Sequence, residues 1–257
     1  MVHTSPKLVV FDIDETLTES KTMIDNEMAN LLSRLAERVQ VAIVSGAALP
    51  QCLEQVVEPL DVAPEKRGNI FIIPTSGAAL YTYEDNDWQP LYALSLTQNE
   101  KKQIYDAFEL AFAATGFDAH APTIKGNLIE DRGTQITFSA LGGDAPRAFK
   151  KDWDPNFSKR TRLIVELTPL LTEFSIKMGG TTSIDVTRKG VDKAYGLGRL
   201  MKHLNRLPEE VLYIGDALFE GGNDSSVLSL HIPVLSVSDL GLIDTKEAIR
   251  GLLSQKE

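Results

Sequence analysis

Two carboxylates two residues apart, at the end of an apolar run, are the first feature of this sequence that could do chemistry. Asp12 and Asp14 lie in Phe11-Asp12-Ile13-Asp14-Glu15-Thr16-Leu17-Thr18, directly after the β-branched stretch 8–10. They can converge once the chain begins to turn, and like charges brought together need a cation or a shared proton. The ion that suits them is magnesium, which takes one or two carboxylates together with phosphate and water. Taken alone, the segment also reads as an acidic turn capping the next helix. Ile214-Gly215-Asp216, followed by Gly221-Gly222-Asn223-Asp224, brings Asp216 and Asp224 to the end of another apolar strand. The glycine pair there lets backbone approach a ligand closely. Arg188-Lys189-Gly190-Val191-Asp192-Lys193 opens a helix and offers a lysine to offset the acidic charge, although most lysines are simply solvated. Ser45-Gly46 ends a further strand, where a hydroxyl and backbone N–H groups can meet a phosphate oxygen.

The elements that must position these residues follow from periodicity. Residues 8–13, 41–45 and 70–73 read as buried parallel strands. Between them Met28, Leu31, Leu32, Leu35 and Val39 make one apolar stripe on a helix beginning near Asp25. The alternation returns at the far end, with a helix over 191–204, strands at 211–214 and 234–237 and a last helix near 244–253. Both ends together predict a doubly wound parallel sheet with ligands at the carboxyl edge of its strands. Between them Thr97-x-x-Glu100 opens a helix that buries Ile104, Phe108 and Phe112. Strand-like segments at 134–141, 163–167, 173–178 and 182–186 then follow without long helices, which predicts an antiparallel sheet. The expected organisation is a core of residues 1–84 and 188–257 with an α+β domain, 85–187, inserted into it. Glu84-Asp85-Asn86-Asp87 is a turn signal rather than a linker.

Composition narrows the function. The 257 residues are 43% hydrophobic and 24% charged, which describes an ordinary folded chain. With 36 acidic against 26 basic residues the net charge is −10, a field that disfavours nucleic acid and anionic membranes as partners. The lone Cys52 excludes an intrachain disulfide and a thiolate-rich zinc site. The apolar runs are too short to cross a bilayer, and the opening residues lack the pattern of a secretory signal, so a cytoplasmic location is expected.

FDIDETLT, the Ser45 strand end, Lys193 and GDALFEGGND, in this order and spacing, resemble the haloacid-dehalogenase-like (HAD) superfamily of phosphotransferases. Within it the chain is most similar to the branch with a large inserted cap, and there to eukaryotic-type phosphomannomutases, which share Ser183-Ile184-Asp185-Val186 and an arginine at Arg132. The resemblance implies an α/β fold: a doubly wound, Rossmann-like core with an inserted α+β cap domain. It also implies that Asp12 is the nucleophile, Asp14 the general acid and base, and Lys193 and Ser45 the groups that stabilise the transferring oxygens. Magnesium would be held by Asp12, the Asp14 carbonyl and Asp216, with Asp224 orienting Lys193 or metal-bound water. Gly46 and Asn223 would be further polar contacts, and Lys21, Arg132, Ser183 and Asp185 would contact a small phosphorylated sugar. A homodimer is admitted but not required.

The first chemical step is common to a phosphatase and a mutase, and the two differ in the grip on a second phosphate. Lys21 and Gly143 stand where phosphomannomutases carry arginine, and a further arginine position falls near Arg147 or Lys150. Lysine lacks the bidentate fork that suits phosphate. Glu15 replaces a glycine of that family. These departures favour a sugar-phosphate phosphatase, with a phosphomannomutase as the alternative and a non-catalytic binding protein on the same scaffold as a third reading. Segment 142–162 holds six Lys/Arg against three Asp and could supply another phosphate grip, or be a solvated loop.

Overall fold

The computed structural model describes residues 5–19, 22–237 and 241–254. Along the chain the elements are β1 (Leu8–Asp12), α1 (Asn26–Ala36), β2 (Gln40–Val44), α2 (Leu49–Cys52), β3 (Ile70–Ile73), β4 (Ala79–Glu84), β5 (Asp87–Ala93) and α3 (Gln98–Thr115). They continue with β6 (Ile129–Asp131), β7 (Ile136–Ser139), α4 (Arg147–Trp153), α5 (Ser158–Leu167), β8 (Phe174–Gly179), β9 (Ser183–Arg188), α6 (Lys193–His203), β10 (Val211–Gly215), β11 (Val234–Ser236) and α7 (Leu242–Ser254).

One sheet has the order β11-β10-β1-β2-β3-β4-β5, with the first five strands parallel and the last two antiparallel additions. The chain leaves β1 toward β2 and β3 and later returns on the other side as β10, so the strand order reverses between β1 and β10. In open α/β sheets that reversal is where ligands bind. Side chains alternate along β1. Val9 and Phe11 join the apolar layer made with Met28, Leu32 and Leu35 of α1 and Ile249 of α7. Leu8 and Val10 face the layer of Leu197 and Leu200 from α6. Helices therefore cover both faces, which is why the strands read as continuous apolar runs. Helix α1 starts where its stripe does, because the Asp25 carboxylate accepts the Met28 N–H at 2.8 Å as its N-cap.

The chain divides into two compact units, Met1–Ala93 with Asp192–Glu257, and Leu94–Val191. The boundary expected at 84 moves to 93, because Glu84 pairs with Asp87 and β5 folds back on β4 in the core sheet. Asp85 and Asn86 make that hairpin by adopting φ of 51° and 63°, the left-handed turn conformation that asparagine and aspartate tolerate. The boundary expected at 188 moves to 192, since β9 runs to Arg188 and Thr187 still donates its hydroxyl to the Val191 carbonyl.

The inserted unit is an antiparallel sheet, β6-β7-β9-β8, packed with α3 and α5. Its core is Phe108 and Phe112 against Phe138, Ile184 and Val186. The Thr97–Glu100 capping box forms in both directions, at 3.2 and 2.6 Å. The strand expected at 163–167 is instead the second half of α5. Leu163 and Leu167 are buried at 2% and 0% exposure while Val165 between them is 62% exposed, a helical and not an alternating period. Packing on α3 overrides the strand preference of Ile164 and Val165. Arg160, one turn earlier on the same face, is 1% exposed and binds Asp154 Oδ2 at 2.9 Å and the Gly179 and Gly180 carbonyls at 3.0 and 2.8 Å. Removing a single partner strands the other charge in the interior, so Arg160→Ala should cost about 3–5 kcal/mol, measured by urea unfolding of the whole chain.

Candidate active site

The register of the sheet brings the two acidic motifs together. Phe11 pairs with Ile214, so Asp12 leaves β1 beside the Gly215-Asp216 end of β10, while Asp12 on its other side pairs with Val44, the residue before Ser45. Past Asp12 the chain turns tightly, with the Leu17 N–H donating to the Ile13 carbonyl at 2.9 Å and the Glu15 N–H to that of Thr18 at 2.8 Å. Glu15 sits in this turn at φ 58°, a left-handed conformation that costs a non-glycine residue energy.

Asp12, Asp216 and Asp224 place carboxylate oxygens within 4.8 Å of one another, and Asp14 does not join that group. Lys193 reaches into it. Its Nζ donates to Asp12 Oδ1 at 2.7 Å and to Asp224 Oδ1 at 2.6 Å. Asp12, Lys193 and Asp224 are all at least 97% buried. Asp224 also accepts the Tyr213 hydroxyl on Oδ1 at 2.6 Å and the Ala217 N–H on Oδ2 at 3.2 Å.

The charges in this cluster do not cancel. Burial pushes the Asp12 carboxyl well above its usual range, against the pull of Lys193 and with the help of Asp224 and Asp216. Burial, and then the charge of Asp224, push Asp216 up to about 6. For Lys193 burial favours the neutral amine, but Asp12 and Asp224 outweigh it and hold the ammonium above its ordinary range. Three carboxylates against one ammonium leave an acidic excess that a hard divalent cation relieves. Thr16 Oγ1 and Asn223 Oδ1, in the two acidic loops, are buried with no hydrogen-bond partner among the described residues, a cost that a bound polar group removes. The donor set of carboxylate and amide oxygens fits magnesium, and Asp12, Asp216 and Asp224 are the carboxylates that could hold it, Asp12 and Asp224 each with one oxygen already on Lys193.

Close backbone packing holds Lys193 in place. A Cβ on Gly196, one turn into α6, would lie 2.5 Å from Ile73 Cγ2 and 2.7 Å from Gly77 Cα, so only glycine lets α6 approach the end of β3 so nearly. Asp192 caps the helix by accepting the Tyr195 N–H at 2.9 Å. Gly215 plays the corresponding part on β10, where a Cβ would lie 2.5 Å from Asp224 Oδ2. Ser45 is buried and its Oγ accepts the Ala47 N–H at 3.1 Å, which leaves the hydroxyl proton to donate to an anion; Gly46 lies within that turn.

Ser183, Asp185 and Arg132 belong to the inserted unit. Ser183 and Asp185 alternate on β9 with Ile184 and Val186, so they face away from that unit's apolar core. Across from them Thr137 Oγ1 donates to Asp185 Oδ1 at 2.8 Å, Gln135 Nε2 donates to Thr137 at 2.8 Å, and the Ser139 and Ser183 hydroxyls pair at 3.2 Å. Arg132 pairs with Glu130 at 2.7 Å. Lys150, in α4, donates to the Gly143 carbonyl at 2.8 Å. Lys21 lies outside the described residues.

Sequence reasoning missed Tyr213, Thr137 and Gln135. The alternation of β7 and β9 was a usable signal for the last two, whereas a tyrosine inside a buried strand reads as packing. Magnesium should raise the melting temperature of the chain, by about 2.7 kcal/mol of stabilisation at a hundredfold excess over its Kd, and leave Asp216→Asn unmoved. An equal rise in both would remove Asp216 from the ligand set.

Comparison with known proteins places this geometry in a family. A phosphomannomutase from Encephalitozoon cuniculi is 27% identical over 250 residues, covering 93% of this chain and 90% of its own. Phosphomannomutase 2 from Dictyostelium discoideum is 28% identical over 229 residues, 86% of each chain. Among solved structures, the IMP-bound IMP-nucleotidase of Plasmodium falciparum superposes with a TM-score of 0.72 at 15% identity, over 98% of this chain and 69% of its own. A haloacid dehalogenase-like hydrolase from Bacteroides thetaiotaomicron does so at 0.63 and 18% identity, over 96% and 99%. At those identities the structures speak for the fold, a HAD-like core with an inserted unit. Residues 28–253 match the family described as eukaryotic phosphomannomutase, and the chain belongs to that family.

Proposed function

We propose that this chain moves the phosphoryl group of a phosphorylated hexose through an aspartyl-phosphate on Asp12, as a phosphomannomutase. The observation that carries the reading is the buried Lys193 ammonium, 2.7 Å from Asp12 Oδ1 and 2.6 Å from Asp224 Oδ1, beside Asp216. In this reading an Asp12 oxygen attacks phosphorus, the ester P–O bond breaks, and Asp14 gives its proton to the departing sugar oxygen. In the second half Asp14 takes a proton from the acceptor hydroxyl, whose oxygen attacks the phosphoryl group and frees Asp12. Lys193 and the Ser45 hydroxyl hold the transferring oxygens and offset the charge that builds on them. Magnesium, held by Asp12, the Asp14 carbonyl and Asp216, would supply further charge neutralisation when bound. Ser183 and Asp185, with Thr137 beside them, are the groups suited to sugar hydroxyls.

Family membership and the phosphomannomutase relatives support the mutase over the phosphatase that the residue departures favour. The phosphatase remains as a second reading because Gly143 offers no side chain where that family carries arginine, and Lys150 reaches the Gly143 backbone instead. The discriminating experiment supplies mannose 1-phosphate or glucose 1-phosphate with magnesium, with and without a hexose bisphosphate, and follows hexose 6-phosphate and free phosphate together. Hexose 6-phosphate is the expected main product, and free phosphate as the main product would mean that water is the acceptor. Asp12→Asn should lower turnover by more than about a thousandfold while leaving the circular dichroism spectrum unchanged. Undiminished turnover in that variant would discard the aspartyl-phosphate mechanism.

A further inference from the structure

One buried titratable side chain faces the acidic cluster and has no part in the steps above. Tyr213 lies inside β10, fully buried, with its ring in the apolar layer of Leu197, Leu200 and Val227. Its neighbours in the strand, Leu212 and Ile214, are apolar. Phenylalanine would fill the same space, so packing does not call for the hydroxyl, and a hydroxyl buried in an apolar layer costs free energy unless it is paired. Its partner is Asp224 Oδ1, at 2.6 Å, and the same oxygen accepts from Lys193 Nζ at 2.6 Å. The other oxygen of Asp224 takes the Ala217 N–H. Three donors, from α6, β10 and the loop that follows β10, thus fix the plane of this carboxylate. Two of them share the oxygen that holds Lys193 against Asp12, so each draws on the same negative charge.

We infer that Tyr213 is a positioning residue for phosphoryl transfer: by sharing Asp224 Oδ1 it sets the place of the Lys193 ammonium relative to Asp12. Without the hydroxyl, Oδ1 keeps its full charge for Lys193, and the ammonium is drawn toward Asp224 and away from the phosphoryl oxygens that it must meet. The inference rests on the reading of Asp12 and Lys193 as transfer groups, and it deepens that reading by one residue.

Tyr213→Phe removes a single oxygen from a packed ring. Its kcat with the hexose phosphate turned over by the wild type should fall about tenfold, the scale seen when a group behind a site residue is removed, with KM held within about twofold. If the hydroxyl acts through Asp224, the same substitution in an Asp224→Asn background should bring no further loss, because coupled sites are not additive. The ¹⁵N resonance of the Lys193 ammonium, assigned by its loss in Lys193→Met, should shift in Tyr213→Phe. The hydroxyl proton of Tyr213 should move in Asp224→Asn, a probe that needs no change at 213. An unchanged Lys193 resonance, a kcat within twofold of wild type, or an equal loss in both backgrounds would overturn the assignment. A wild-type chain that turned over no phosphorylated hexose would instead count against the proposed function, while the two resonances still decided whether Tyr213 governs Lys193.

Discussion

The core unit is organised around one ammonium held among carboxylates. Lys193 stands at the first residue of α6, where the helix dipole disfavours a cation. It is buried almost completely, so water does not compensate. What holds it is the pair of short contacts to Asp12 and Asp224. At a separation near 3 Å in a shielded site each attraction is strong, but it only offsets the desolvation of both partners. The arrangement therefore adds little to stability. It concentrates unlike charge where a phosphate and a cation can exchange with it.

Holding that constellation asks three separate parts of the chain to meet within hydrogen-bond distance. The doubly wound order supplies the coarse solution, because β1 and β10 are neighbours at the point where the strand sequence reverses. Glycine supplies the fine one. Gly196 against Gly77 lets the start of α6 close on the end of β3, and Gly215 leaves room for the Asp224 carboxylate beside β10. A methyl group at either place would displace backbone or the carboxylate itself. The strain of Glu15 belongs to the same economy, since the turn after Asp12 must be tight enough to end β1 and send the chain on toward α1.

The match to the phosphomannomutase family runs through both units, and so do the departures from that family's pattern. The groups assigned to bond making in the proposed function lie in the core unit, where Glu15 departs from the pattern beside Asp12. The differences that bear on the acceptor fall on Lys21 and Gly143, and the second of these lies in the inserted unit. That unit carries its own polar row, Gln135, Thr137 and Asp185, linked by hydrogen bonds along the face opposite its apolar core. In the proposed function this row supplies the donors and acceptors for the sugar hydroxyls.

Much of this was legible in residue order. The apolar runs at β1, β2 and β3, the stripe of α1 as far as Leu35, the capping box of α3 and the two acidic motifs are local signals found where their patterns place them, while Val39 falls beyond the end of α1 at Ala36. Asp12, Asp216 and Asp224 stand out from motif and spacing, because chemistry of this kind gathers carboxylates at strand ends, whereas Lys193 is singled out from Lys189 only by the family resemblance. Three things depended on the folded chain. Residues 163–167 have the composition of a strand but pack as helix, since a neighbour's face and not β propensity decides between the two. Strands β4 and β5 join the core sheet because a two-residue turn lets them pair, and pairing is a property of two segments together. Tyr213 has a role only through an oxygen eleven residues away that also holds Lys193. The sequence by itself determined which groups are present and on which elements they ride. Only the tertiary structure decided which of them share an atom, because a hydrogen bond is a matter of a few tenths of an ångström, and no local pattern encodes distance across a sheet.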